Sequence, residues 1–452
     1  MATLNQALLE TRDDPQKFDR FARGVLKANF DRDKDALRNS FTKLVAWQVN
    51  EARINTTSIV YGPGRVDAFG RIFNKVALLL GGADAQGNPP DAPVSIPFIW
   101  RAPAYDKVQY NGIAPNKVVA GLDIGAVGRN VGEVIGVFGD VVPHANPSLI
   151  NGFKSSIKLK NLAGLERELA QLRPPAWPAS ILGKPGSTNG QVDTAQLARG
   201  KDLYEQRCAE CHERISRKDL STPITTEMSL LDGSGKHSKT GAKLRAPGTD
   251  IWMACNGYAY RASTGVLKGY RDLILTKNKA LPDSFELGKL LVVTVGGTLF
   301  GRKAELTEIA VRQALGIDPL PQAELGLAPL PTASPKQLQR ERCINEPDPN
   351  LGYTSRPLNG VWATAPFLHN GSVPTMYDLL LPPDQRPRTF YLGTREYDPK
   401  KLGLLTDKNE AIGNVFEFNT AVEGNSNGGH DYSNATLSDP DRFAIIEYLK
   451  TL

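Results

Sequence analysis

Nowhere in the chain do about twenty apolar residues run together, the length a membrane-spanning helix needs. Even the tract Leu290–Val295 contains Thr294 and stops at Gly296, so a soluble protein without a transmembrane segment is expected. Blocks of like charge are absent too. The 54 Lys plus Arg and 48 Asp plus Glu leave +6 spread along 452 residues, which excludes the clustered basic footprint of a nucleic-acid-binding protein. The opening MATLNQALLETRDDPQKFDRF lacks the basic and apolar regions of a secretory signal. Cysteine and methionine are scarce, four of each with Met1 included, and histidine numbers five, so candidates for metal or redox chemistry are few. There is no internal repeat and no low-complexity tract.

What is present reads as a mainly α protein. Residues 1–56 space Phe18, Phe21, Val25, Phe41, Leu44 and Val45 at helical intervals between charges. From Tyr61 the chain turns dense in Gly and Pro, which predicts turns and extended segments with little regular strand. A helix is expected over Ser155–Leu172, stopped by RPPAWP. LGKPGSTNG then has linker composition and marks a domain boundary. Beyond it, Asp193 with Gln196 opens a helix, DTAQLARGKDLYEQR, and Ser438 with Asp441 opens a last one whose Phe443, Ile446 and Leu449 form an apolar stripe. Gly200, having no Cβ, would let these two helices cross closely. Between them lies a long stretch broken by Pro clusters near residues 319–335 and 382–387.

The motif that carries chemistry follows the first of these helices: Cys208-Ala-Glu-Cys211-His212. Two cysteines separated by two residues reach the two vinyl groups of a haem, and the adjacent His projects its ring to the iron. A thioredoxin-like pair would instead start a helix in a βαβ unit, and a structural zinc site would need a second close ligand pair. Cys255 and Cys343 stand alone, which leaves free thiols or a disulfide both open. A non-haem binding protein with a degenerate motif is the third reading.

For the iron's second axial position there are His144, His237, His369 and His430, and the internal Met228, Met253 and Met376. His237 lies in a polar loop and His144 ahead of the linker. His369, in APFLHNGSVPTMYDLL, and His430, in GNSNGGHDYS, are both able to reach a haem. Glycines let the His430 loop close on a flat macrocycle, which favours His430 as distal ligand with His369 behind it and Met253 third. Smaller signals add little. GAVGRNVGEV follows no strand and so is no dinucleotide site, Asn55 opens a glycosylation sequon by pattern alone, and Arg65, Asp67 and Arg129 read as structural ion pairs or as a polar network at a haem pocket.

Taken together, LARGKDLYEQRCAECH, APGTD at Ala246–Asp250 and PLNGVWATAPFLHNGSVPTMYDLL at residues 357–380 resemble the C-terminal haem domain of the bacterial dihaem cytochrome c peroxidase superfamily. Within it the likeness is to the rubber-oxygenase-like dihaem cytochromes, and YGPGRVDAFGRIFN, GAVGRNVGEVIGVFG and GNSNGGHDYS extend it over nearly the whole chain. The resemblance implies two haem c groups per full-length polypeptide. One is attached through Cys208 and Cys211 and ligated by His212 and His430, with His369 near a haem. It also implies a first CxxCH upstream of residues like 1–30 here, so an N-terminally truncated chain is expected. The architecture expected is then cytochrome c-like domains with long, loop-rich insertions: residues 1–181 the remnant of a first cytochrome-like domain, 182–192 a linker, and 193–452 the C-terminal cytochrome c domain. The expected function is electron transfer through one low-spin haem c. The alternative is a dihaem peroxidase or dioxygenase whose oxygen-binding haem lies outside this chain. The expected partner is a redox protein or second haem, and haem c attachment points to the periplasm or a secreted location.

Overall fold

The computed structural model describes residues 2–116, 118–119, 122–123, 125–188, 191–230, 248–272, 276–317, 343, 351–394, 396–407 and 415–452. Helices dominate. Every sheet among the described residues is a two-stranded antiparallel ribbon, with strands of at most four residues. Three helices, Ala2–Asp13, Pro15–Leu26 and Phe30–Ile54, fill the first stretch as the periodicity predicts. The second starts sharply because Asp14 accepts from the amides of Gln16 and Lys17 and Pro15 brings a pre-set φ. The three bury a small core of their own, Phe18, Ala22, Phe30, Phe41 and Val45.

The Gly- and Pro-dense stretch departs from expectation, since it contains two helices, Ala68–Gly81 and Gly125–Val137. Asp67 caps the first by accepting from Gly70, and it also takes the amide of Ala92. Gly136 makes room: a Cβ there would lie 2.4 Å from Ile72 of the neighbouring helix. Its glycine marks close helix packing, which sequence alone reads as a breaker. Asn74, wholly buried, donates to the carbonyls of Ile54 and Asn88 and accepts from the amide of Asn88, so its helix is tied to the end of Phe30–Ile54. The helix predicted over 155–172 runs Leu159–Gln171, because Lys154–Ser155 is spent pairing with Val141–Val142.

The main core is shared across the 182–192 segment. Phe73, Val76, Val127, Val131 and Ile135 from before it pack with Met253, Leu287, Leu290 and Val293 from after it. A buried ion pair reinforces this body: Arg129 donates to Glu166 at 3.0 Å, and Asn130 donates to the same oxygen at 2.5 Å. Residues 182–192 themselves hold the end of a short helix, Ala179–Leu182, and a small ribbon pairing Ser187–Thr188 with Gln191–Val192. No described helix is long and apolar enough to cross a membrane.

A second core gathers Trp177, Tyr204, Val361, Phe367, Val373, Met376, Ile446 and Leu449 around the crossing of helices Thr194–Arg207 and Asp439–Leu449. Asp193 caps the first through the amide of Gln196, while Ser438 and Asp441 form the full reciprocal box at the second. The stripe predicted for the last helix is only part of its buried surface, since Ala444, Ile445 and Tyr448 are covered as well. Gly200 is the crossing point: a Cβ on it would sit 2.0 Å from the Ala444 carbonyl oxygen.

That clash makes a stability prediction. Gly200→Ala should lose about 1–3 kcal/mol in urea titrations, the cost of overpacking. Gly128→Ala, in a helix with nothing near its would-be Cβ, should gain roughly 0.5–1 kcal/mol. Equal effects of the two substitutions would contradict the close crossing.

Candidate haem site

The CAECH segment forms a tight turn at the end of helix Thr194–Arg207. Cys208 N–H closes the last helical turn on the Tyr204 carbonyl, and the amides of Cys211 and His212 both return to the carbonyl of Cys208, at 3.1 and 2.8 Å. The fully buried Tyr204 donates its hydroxyl to the His212 carbonyl at 2.6 Å, which fixes where the turn leaves the helix. Both cysteines are unpaired and half-buried. Burial, with Cys211 adding and Arg207 opposing, pushes Cys208 up to about 12, and burial with Glu210 and Glu227 pushes Cys211 up to about 11. A redox-active pair needs a lowered thiol pKa, so the site does not fit the thioredoxin-like alternative.

His212 is oriented by its Nδ1, which lies 2.7 Å from the carbonyl oxygen of Arg356. A carbonyl only accepts, so Nδ1 carries the proton and Nε2 keeps its lone pair. Facing it is His430, with ring centres 6.2 Å apart and planes inclined by 37°. Two imidazoles on one metal atom, with metal–nitrogen bonds of about 2.0 Å and about 1.1 Å from nitrogen to ring centre, put their centres about 6 Å apart. Desolvation lowers both imidazoles' pKa, with His212 also acting on His430, which comes down to about 3. Desolvation thus favours the neutral form of both rings. Nδ1 of His430 is buried and finds no partner among the described residues.

The loop that delivers His430 is held by its backbone. Gly429 and His430 both have positive φ, +79° and +49°, a conformation that costs a non-glycine residue about 1–3 kcal/mol and needs external support. Arg386 supplies it, being buried and donating to the carbonyls of Asn427, Gly429 and His430 at 2.5, 2.8 and 3.3 Å. Asn434 adds its amide to the His430 carbonyl at 3.3 Å and to those of Leu379 and Leu381. Neither residue stands out in the sequence. Each acts on backbone oxygens, which leave no motif. Arg356 is equally silent: its carbonyl serves His212, while its guanidinium donates to the Gln109 carbonyl and lies within 5.5 Å of the Phe98 and Tyr105 rings.

The other candidates lie elsewhere. His369 is buried and stacks on Tyr353 at 4.1 Å, edge-on to Tyr110, with no ring contact to His212 or His430; its Nε2 is unpartnered among the described residues. One route from it towards His212 runs through Tyr110, whose ring lies 6.0 Å from the Arg356 guanidinium. Met253 and Met376 pack into the two cores, Met228 lies in the strand Glu227–Leu230, and His144 stands edge-on to Phe153. His237 lies outside the described residues. Arg65, Asp67 and Arg129 do not form one network. Asp67 caps a helix, Arg129 pairs with Glu166, and Arg65 reaches Asn425. Cys255 and Cys343 form a disulfide.

Residues 352–391 match the model of the RoxA-like, cytochrome c-like family, and this segment supplies Arg356, His369 and Arg386. The chain therefore carries a cytochrome c-like segment similar to that of the RoxA-like proteins, which implies haem c binding. The chain as a whole belongs to the family of the uncharacterized protein y4iJ of Sinorhizobium fredii, 32% identical over 474 aligned residues that take in 99% of this chain and 70% of that protein. A second uncharacterized protein of the same organism, y4iM, is 36% identical over 120 residues, 22% of this chain and 27% of its own length.

The buried His369 yields a pH test. Burial first, then Arg65, lowers its pKa to about 3, against about 6.5 unfolded. Between those values the unfolded chain holds a proton that the folded one lacks, so stability contributed here is intact above pH 6.5 and falls as pH drops. His369→Gln removes that dependence. The stability of the native protein relative to the variant should fall by up to about 1.4 kcal/mol per pH unit below about pH 6. Parallel stability curves from pH 7 to 4 would refute the neutral buried state.

Proposed function

We propose that the chain is a c-type cytochrome that transfers single electrons through one covalently attached, low-spin haem. Cys208 and Cys211 form the thioether links, His212 is the proximal ligand and His430 the distal one. The observation that carries this is the pair of half-buried imidazoles whose ring centres lie 6.2 Å apart, one of them next in sequence to the two thiols. When bound, the haem supplies an iron centre that gains or loses one electron without making or breaking substrate bonds. The protein's part is steric and electrostatic. The Arg356 carbonyl holds Nδ1–H of His212 and raises the basicity of its ligating nitrogen. Arg386 and Asn434 hold the opposite loop, and Cys208 at the turn packs against the apolar cluster that includes Tyr204, Val361 and Phe367.

Residues 193–452 would form the haem-bearing unit, with a redox protein or a second haem as partner. The disulfide Cys255–Cys343 supports an oxidising location such as the periplasm, where haem c is also attached. A second reading, an oxidoreductase of peroxidase or dioxygenase type that draws electrons from this haem, is favoured by the RoxA-like match. It needs a second haem, and this sequence holds a single CxxCH.

Expression with haem c maturation should give a protein that keeps its haem through acid-acetone extraction and shows one haem c per chain as the pyridine haemochrome. Cys208→Ser with Cys211→Ser should release the haem, and His430→Ala should convert a low-spin ferric EPR signal to high-spin. An unchanged low-spin signal in His430→Ala would reject His430 as ligand, and two haems per chain would favour the enzyme.

A further inference from the structure

The distal loop has a second set of restraints, on the side away from Arg386. Its first half, residues 424–426, rests on residues far from the haem in sequence. The Ser426 carbonyl accepts from Asn370 Nδ2 at 2.8 Å and from Ser372 Oγ at 2.9 Å, and the Gly424 carbonyl accepts from the same Asn370 amide at 3.2 Å. Asn370 and Ser372 are wholly buried. The Asn425 side-chain oxygen accepts from Arg65 Nη2 at 2.6 Å.

Arg65 belongs to the other half of the molecule. It sits in the ribbon where Arg65–Val66 pairs with Val94–Ser95, donates to the carbonyls of Tyr61 and Pro93, and lies 4.4 Å over the ring of Phe418. The same ribbon grips the segment that carries Asn370, since Ser95 N–H donates to the His369 carbonyl at 2.9 Å. The loop thus meets the 65–95 ribbon twice, once directly through Asn425 and once through residues 369–372. His430 sits at its far end with φ in the left-handed region, so the ring's direction depends on both ends of the loop staying fixed.

We propose that Arg65 is a positioning residue for the distal haem ligand: through Asn425 it lets the N-terminal half of the chain decide how firmly His430 stays on the iron. The inference rests on the ligation by His212 and His430 proposed above. Whatever shifts the 65–95 ribbon, a partner seated on the N-terminal half included, would loosen the loop and free the sixth coordination position for an external ligand. Arg386 and Asn434 set the ring's resting place, whereas Arg65, Asn370 and Ser372 set how often it leaves.

The test uses the haem-loaded full chain. Carbon monoxide binds the ferrous iron only when His430 has left, so its binding rate reports that departure. Arg65→Gln should raise the rate about tenfold, the effect of losing a hydrogen bond from a charged donor. Part of its ferric spectrum should turn high-spin, and added imidazole should restore the low-spin form. Ser372→Ala removes one hydroxyl and should raise the rate severalfold, which decides the matter should Arg65→Gln fail to fold. Arg129→Gln, which breaks an equally buried arginine's ion pair away from the loop, should leave the rate unchanged. Native-like rates in folded Arg65→Gln and Ser372→Ala, or an equal rise in Arg129→Gln, would overturn the coupling while leaving the ligands in place. A wild-type protein without a low-spin bis-imidazole spectrum would overturn the ligation and this proposal together.

Discussion

Two imidazoles with ring centres about 6 Å apart are a costly arrangement to maintain, because each must be partly desolvated and aimed, and neither belongs to a regular element that would aim it. His212 leaves the end of a helix in a turn, and His430 follows two glycines. Each is therefore oriented by bonds made outside its own segment: His212 by the Arg356 carbonyl and the Tyr204 hydroxyl, His430 by Arg386 and Asn434. Much of the C-terminal half exists to bring those four partners into register. The helix crossing at Gly200 sets the distance between the attachment turn and the last helix, and the buried Arg442 joins that helix to Leu380 and Asn434.

The support behind His212 draws on both halves of the chain. The Arg356 side chain reaches the Gln109 carbonyl and the aromatic residues Phe98, Tyr105 and Tyr110, while its own backbone serves His212. The main core likewise mixes residues from both sides of the 182–192 segment. The N-terminal half is in that sense structural support for the histidine pair, and its three-helix start has a separate small core.

What could be read in advance follows a physical rule. Local features were legible: the caps at Asp193 and Ser438 and the helical start depend on neighbours a few residues away, and the close crossing at Gly200 showed as a glycine on an apolar helix face. Helices Ala68–Gly81 and Gly125–Val137 were hidden because glycines such as Gly70 and Gly136 lie at packing contacts, where a missing Cβ resembles a break. His430 was legible as a ring beside flexible backbone, while the pairing of Cys255 with Cys343 stayed open because the two are 88 residues apart. Arg386, Asn434 and Arg356 had no signal at all. Their work is done on or by carbonyl oxygens, which every residue carries.

That last property bears on how such a protein can change over time. The Arg386 guanidinium grips the loop by oxygens common to every amino acid, so the side chains at Asn427 and its neighbours are not what Arg386 recognises. Mutations can accumulate along this loop, changing the surface it presents, without the grip on the His430 backbone being disturbed. A fixed backbone beneath a freely evolvable rim is a favourable starting point for a lineage that changes what it meets at that surface.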